Sequence, residues 1–188
     1  MLSTLSKTKQ QLLILQEDAS TDDQVLMCLQ AASEAIEQYC RRSFELKERT
    51  ELCSGLGSTM LPLRAYPVTS ILSVGDSSYP ITDYIQFDEG MLYREQRWPC
   101  GSFNIRVHYV GGYVLPSDED GAPVSNLPIS VEYACLLLCK QLYSGEWGKV
   151  SERIGDYSVT YEKGLDGESP NLPRAVRALL RSHVRRWR

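Results

Sequence analysis

The stretch Asp22–Phe44, DDQVLMCLQAASEAIEQYCRRSF, decides how the chain is read. Val25, Leu29, Ala32, Ile36 and Tyr39 recur at steps of four, three, four and three, which places them on one face of a helix. Thr21 with Gln24 three positions on makes a capping-box pattern, and Asp22 and Asp23 put negative charge where the helix dipole is positive. Glu34 and Glu37 lie off the apolar stripe. Arg41 and Arg42 close the segment where cations suit the carbonyl end. The spacing predicts an amphipathic helix from about Thr21 to Arg42. Upstream, Ser6–Leu15 reads as a short helix carrying Leu12, Leu13 and Leu15, joined by the acidic connection EDASTDD.

Downstream the character changes. From Phe44 to Tyr113, Gly and Pro punctuate short runs rich in β-branched and aromatic residues. Strands are expected near Glu48–Cys53, Thr59–Leu63, Val68–Val74, Tyr84–Phe87, Met91–Tyr93 and Phe103–Val110. The last is the clearest, because Phe103, Ile105, Val107 and Tyr109 alternate with Asn104, Arg106 and His108, as a sheet with one wet face requires. Phe103, Tyr109 and Tyr113 read as core. Gly111-Gly112 ends the run, and Ser117–Asn126 is a polar loop without apolar periodicity.

Leu127-Pro128 then opens a second long helix, to about Tyr143, with Val131, Cys135, Leu138 and Leu142 on one face. Being apolar on most sides, it belongs at the centre of a helical core, against the first helix. Ser144–Gly148 breaks it, Tyr157–Tyr161 reads as one more strand before a Gly-rich turn, and Pro173 opens a third helix running to the C-terminus. In that helix Arg174, Arg177, Arg181, Arg185 and Arg188 form one stripe, away from Val176, Leu179, Leu180, Val184 and Trp187. The expected fold is α+β: a small helical bundle with an inserted antiparallel β-rich subdomain and a C-terminal amphipathic helix. Its parts are residues 1–45 (N-terminal helices), 46–116 (β insertion), 117–148 (loop and core helix) and 149–188 (short strand and basic helix).

The formal net charge of −4 over 188 residues hides an asymmetry. Residues 174–188 hold six Arg and no acid, a net of +6, while the other 173 residues carry 14 basic against 24 acidic groups, a net of −10. An acidic body with a basic terminal segment suits charge-steered docking onto nucleic acid or an acidic protein surface. With 43% hydrophobic residues and no dominant residue type, neither disorder nor a fibrous repeat fits. The longest apolar run, Ile129–Cys139, is about half a membrane span and contains Glu132, so no membrane partner is expected. The N-terminus lacks the pattern of a secretory signal, and the six cysteines are expected reduced.

Chemistry-bearing constellations are sparse. No C-x-x-C occurs, and the two His, 108 and 183, have no ligand at motif spacing, so neither metal nor cofactor is expected. Cys135 and Cys139, four apart on a helix, read as small buried hydrophobes. Ser54–Ser58 (SGLGS) lacks the Lys and the context of a phosphate cradle and reads as a turn between strands. The pair Asp88-Glu89 and the run Asp118–Asp120 read as solvated loop charge. No nucleophile elbow is present, and an enzyme is not expected. The arginine stripe stands apart, because exposed helix faces normally mix both signs, and like charges three or four apart cost stability unless an anionic partner meets them. Phosphate and carboxylate both suit guanidinium.

The order of segments is itself recognisable. A leading helical segment, Asp22–Phe44 with its A-A-S and I-E-x-Y-C-x-R-x-F, then TEL, LPLRAYPVTSILSV (Leu61–Val74), VHYVGGY (Val107–Tyr113) and LPISVEYACLLL (Leu127–Leu138) resembles tailed-phage head-tail connector proteins, the adaptor or head-completion proteins. The resemblance covers most of residues 5–143; GDYSVTY and LPRAVRALLRSHVR look like the family's variable final part. It implies a structural virion protein at the neck, assembled in the host cytoplasm as a ring, commonly dodecameric, beneath the portal protein. Such a ring extends the DNA channel, passes genomic DNA without sequence specificity, and offers a platform to the next neck (stopper) or tail-completion protein. By carry-over, Arg174, Arg177, Arg181, Arg185 and Arg188 become the portal-contact or anionic-partner residues. The rival expectation is a nucleic-acid-binding protein using the Arg-rich helix on phosphates, with a steep loss of affinity in salt.

Overall fold

The computed structural model describes residues 1–76, 79–145, 151–154, 157–160 and 172–185, the two short strands by their backbone alone. It is α+β and divides into two compact units: a helical unit from residues 1–41 and 116–185, and a β unit from 42–115. Among the described residues no helix is long and apolar enough to cross a membrane.

The helical unit contains α1 (Leu5–Leu12), α2 (Asp22–Cys40), α3 (Ile129–Tyr143) and α4 (Arg174–Leu180), with the hairpin strands β7 (Ser151–Ile154) and β8 (Tyr157–Thr160). Helix α3 packs against α2, α4 and α1, the central place its apolar composition predicts. Val25, Leu29, Ala32 and Ile36 of α2 and Val131, Cys135 and Leu138 of α3 are fully buried. At the helix ends the stripe departs from the periodic reading: Tyr39 and Leu142 are half-buried, and Cys40 and Cys139 occupy the core instead. Ser33 links the layers, donating to the Leu29 carbonyl (2.8 Å) and accepting from the Leu2 amide (3.0 Å).

Three local expectations change. Thr21 makes no side-chain cap, because a 3-10 turn at Ala19–Thr21 leads directly into α2 and leaves Thr21 at ψ 0° rather than the extended conformation a cap needs. Helix α1 starts on the Thr4 cap and stops at Leu13, which sits at φ 60°; its buried face is Thr8 and Lys9, while Leu13 and Leu15 are exposed. Lys9, buried, is paired with Asp22 at 2.5 Å, so the acid that complements the α2 dipole also serves as its counterion. Arg42 does not decorate the end of α2, which closes at Cys40 with Arg41 in the left-handed region. Its guanidinium is buried in the β unit, 3.4 Å from the Tyr66 ring centroid and 4.8 Å from that of Phe44, and donates to the Tyr66 carbonyl.

The β unit has two three-stranded antiparallel sheets, ordered β1 (Lys47–Gly55), β6 (Gly101–Gly111), β3 (Val68–Gly75) and β2 (Met60–Pro62), β5 (Met91–Tyr93), β4 (Ile85–Phe87). Cys53, Val74, Ile105, Val107 and Tyr109 from the first sheet and Leu61 and Leu92 from the second join one buried cluster with Trp98. The Tyr109 hydroxyl donates to Glu51 (2.9 Å) and accepts from the Ala65 amide (3.0 Å); burial pushes its pKa far above the ordinary tyrosine value. Phe103 is not core. At the irregular register between Cys53 and Gly55 it takes φ 52°, which turns its ring out to 66% exposure. Tyr113 is half-buried and stacks on Phe44 at 6.3 Å. Gly112 sits at φ 121° with the Glu45 carbonyl 2.3 Å from where a Cβ would be, so only glycine fits there.

Candidate functional site

The basic C-terminal segment is built from Pro173 onward. With no amide hydrogen to place, proline starts the first turn, and α4 then runs only seven residues, Arg174–Leu180. Leu172, Val176 and Leu180 are buried. The chain then tightens: the His183 amide donates to the Leu180 carbonyl (2.8 Å), His183 Nε2 meets Ser130 Oγ at the start of α3 (2.8 Å), and the Arg185 amide donates to the Cys40 carbonyl (3.0 Å). The last contact ties the segment to the Cys40 carbonyl at the end of α2, and brings a cationic residue to the end of a helix where positive charge is favourable.

The single helical stripe is therefore corrected. Arg174 and Arg177 lie in α4, Arg181 and Arg185 in the turn that follows, and Arg188 lies outside the described residues. The physical reason is tertiary. A short segment gains little from helix propagation, and two tertiary hydrogen bonds to α3 and α2 are worth more than continuing the i to i−4 ladder. Arg174 and Arg181 are exposed, Arg177 and Arg185 half-buried. The arginines are thus presented by a segment moored to the helical unit at both ends.

The other groups singled out in the sequence are placed as follows. All six cysteines are free; burial pushes the Cys135 thiol up to about 11 and the Cys139 thiol up to about 12, which keeps both protonated and poor as nucleophiles. Among the described residues no group of three or more His, Cys, Asp or Glu could hold a metal ion. Ser54 and Gly55 end β1 and Leu56–Ser58 belong to the turn to β2, while Asp88-Glu89 lies in the turn between β4 and β5.

One surface escaped the sequence reading. In the β2–β5–β4 sheet, Met60, Tyr93 and Ile85 form one cross-strand row and Pro62, Met91 and Phe87 the next, all on the face opposite the buried Leu61 and Leu92. The runs MLP, IQF and MLY are apolar at nearly every position, so alternation gave no hint of which face is wet.

The profile of the family described as Head completion protein matches residues 3–186. No curated protein sequence matches. Among solved structures, the neck of an empty GTA particle computed with C6 symmetry contains a chain 16% identical, with a TM-score of 0.57 over 95% of this chain and 87% of that one. The neck of the native GTA particle computed with C12 symmetry gives 16% identity and a TM-score of 0.55 over 95% and 86%. The virion of the native gene transfer agent particle gives 19% and 0.55 over 98% and 89%. The likeness to these chains is one of fold.

Proposed function

The chain belongs to the head completion protein family, and on that premise we propose that it is a structural protein of the neck of a tailed phage or prophage, assembled as a ring beneath the portal. The family match over nearly the whole chain carries this reading. The shared fold with chains from particle necks computed with sixfold and twelvefold symmetry supports the ring, and a dodecamer is the stoichiometry proposed. The ring extends the DNA channel and offers a platform to the stopper or tail-completion protein. Its acidic body repels the phosphate backbone and lets the genome pass without gripping it, whereas a strongly basic lumen would hold it.

In the same reading the C-terminal arginines face the portal. Arg174 and Arg181 are exposed on a segment held by buried leucines and two tertiary hydrogen bonds, so they are presented with little further loss of chain entropy. Changing Arg174, Arg177, Arg181, Arg185 and Arg188 together to Glu is expected to weaken retention on purified portal rings by about tenfold or more, since like charges meeting across an interface cost several kcal/mol. Unchanged retention removes the assignment. Binding to duplex DNA without portal, lost steeply with salt, would favour the phosphate-binding alternative instead.

A further inference from the structure

Antiparallel sheets with one face on a core normally turn polar side chains to water on the other. The two sheets of the β unit differ in this respect. The outer face of β1–β6–β3 carries Glu48, Thr50, Arg106 and His108 between its apolar positions, with Glu48 paired to His108 at 2.6 Å. The outer face of β2–β5–β4 carries Met60, Pro62, Ile85, Phe87, Met91 and Tyr93, with no charged or amide side chain among them. Ile85 is 58% exposed, Phe87 44% and Met60 41%. A contiguous apolar face of this kind marks a surface that is covered in use.

We propose that a second copy of this chain covers it: the outer face of β2–β5–β4 in one copy packs head-to-tail on the outer face of β1–β6–β3 in the next. The proposal rests on the ring reading above and names the contact that builds the ring. Three observations select a second copy. First, the face offers no charge to a polyanion or to a basic segment, so it fits an apolar surface. The β1–β6–β3 face supplies one in Leu52, 47% exposed and directly opposite Arg106, and Leu72, 52% exposed at the bulge between Ile71 and Ser73. Second, the charges complement each other. Asp88 and Glu89 stand exposed at the β4–β5 turn bordering the first face, Arg106 stands exposed beside Leu52 on the second, and none of the three side chains makes a hydrogen bond or ion pair among the described residues. Third, copies with acidic bodies repel one another at long range, so their association requires uncharged contact area and local pairs of opposite sign. Because the two faces differ, the contact is heterologous, and a heterologous contact whose rotation closes makes a ring.

The test replaces Ile85 with the photo-crosslinking residue p-benzoylphenylalanine in the full chain, assembled alone and on portal-bearing heads. Irradiation is expected to link copies of the chain to one another, with the linked peptides in β1, β3 or β6. Crosslinks that map elsewhere on the chain, or only to the portal or the next neck protein, overturn the proposal. Arg106→Glu is expected to weaken subunit association about tenfold or more, and adding Asp88→Lys and Glu89→Lys to it to recover most of the loss. If Ile85→Asp and Arg106→Glu each assemble rings as stable as those of the wild type, this contact is overturned and the ring reading stands. A wild-type chain that forms no ring, alone or on heads, overturns the ring reading and this contact with it.

Discussion

Asp118 holds the first turn of a helix 112 residues away in sequence, accepting from the Ser6 amide at 3.0 Å. Burial raises its pKa, but hydrogen bonds from the Ser6 and Leu5 backbone and the Thr4 and Ser6 side chains outweigh that and leave it below the ordinary value of 3.8. A carboxyl with a depressed pKa binds its proton less readily folded than unfolded, so its stabilisation is present above pH 3.8 and is lost as pH falls through the folded value. Asp118→Asn is expected to cost at most about 1 kcal/mol at pH 7, since the group is largely exposed. Denaturant titrations of both proteins should converge as pH falls below that window, and a difference that persists there would contradict the assignment. The sequence presents Asp118 as solvated loop charge, and nothing local distinguishes it from Glu119 or Asp120; its partner comes from folding. Phe103 illustrates the same limit, since its strand alternation is faultless and only the slipped register beside Gly55 turns it outward.

At the scale of elements, α4 is secured by burial more than by its own propensity. Leu180→Ala removes a fully buried side chain and is expected to destabilise the helical unit by about 2–5 kcal/mol, read as a drop in the urea midpoint at constant slope. It should also free Ser130 and the Cys40 carbonyl from their partners, seen as faster amide exchange at His183 and Arg185. Most elements were legible beforehand, because α2, α3 and β6 each carry a sustained period that burial of one face demands. The helix to the C-terminus was not, because its apolar period through Val184 continues past the point where tertiary hydrogen bonds draw the chain away. Strand β7 was missed as well, since SERI has neither alternation of hydrophobicity nor length, and its pairing with Tyr157–Thr160 supplies what its composition lacks.

For the whole molecule, the two units make separate predictions. The β unit has its own buried cluster, so residues 42–115 expressed alone are expected to fold and melt cooperatively, although a domain of this size is marginal in stability. Trp98, 1% exposed and bonded through Nε1 to the Leu92 carbonyl at 3.3 Å, is the sole tryptophan in that stretch, and a blue emission that shifts red in one step would report the fold. A gradual shift would show that the cluster needs the helices. The two ends of this unit are joined by a backbone clamp. Tyr113 accepts from the Leu46 amide and donates to the Phe44 carbonyl, both at 2.7 Å, while its ring stacks on Phe44. Entry and exit of the inserted segment are thereby tied together, so the helical unit experiences it as a short loop whatever its length. Excising the β unit and bridging its ends with a few flexible residues is therefore expected to leave α2 and α3 paired, read as a retained cooperative helical melt; loss of that melt would show that the helical unit depends on the inserted segment.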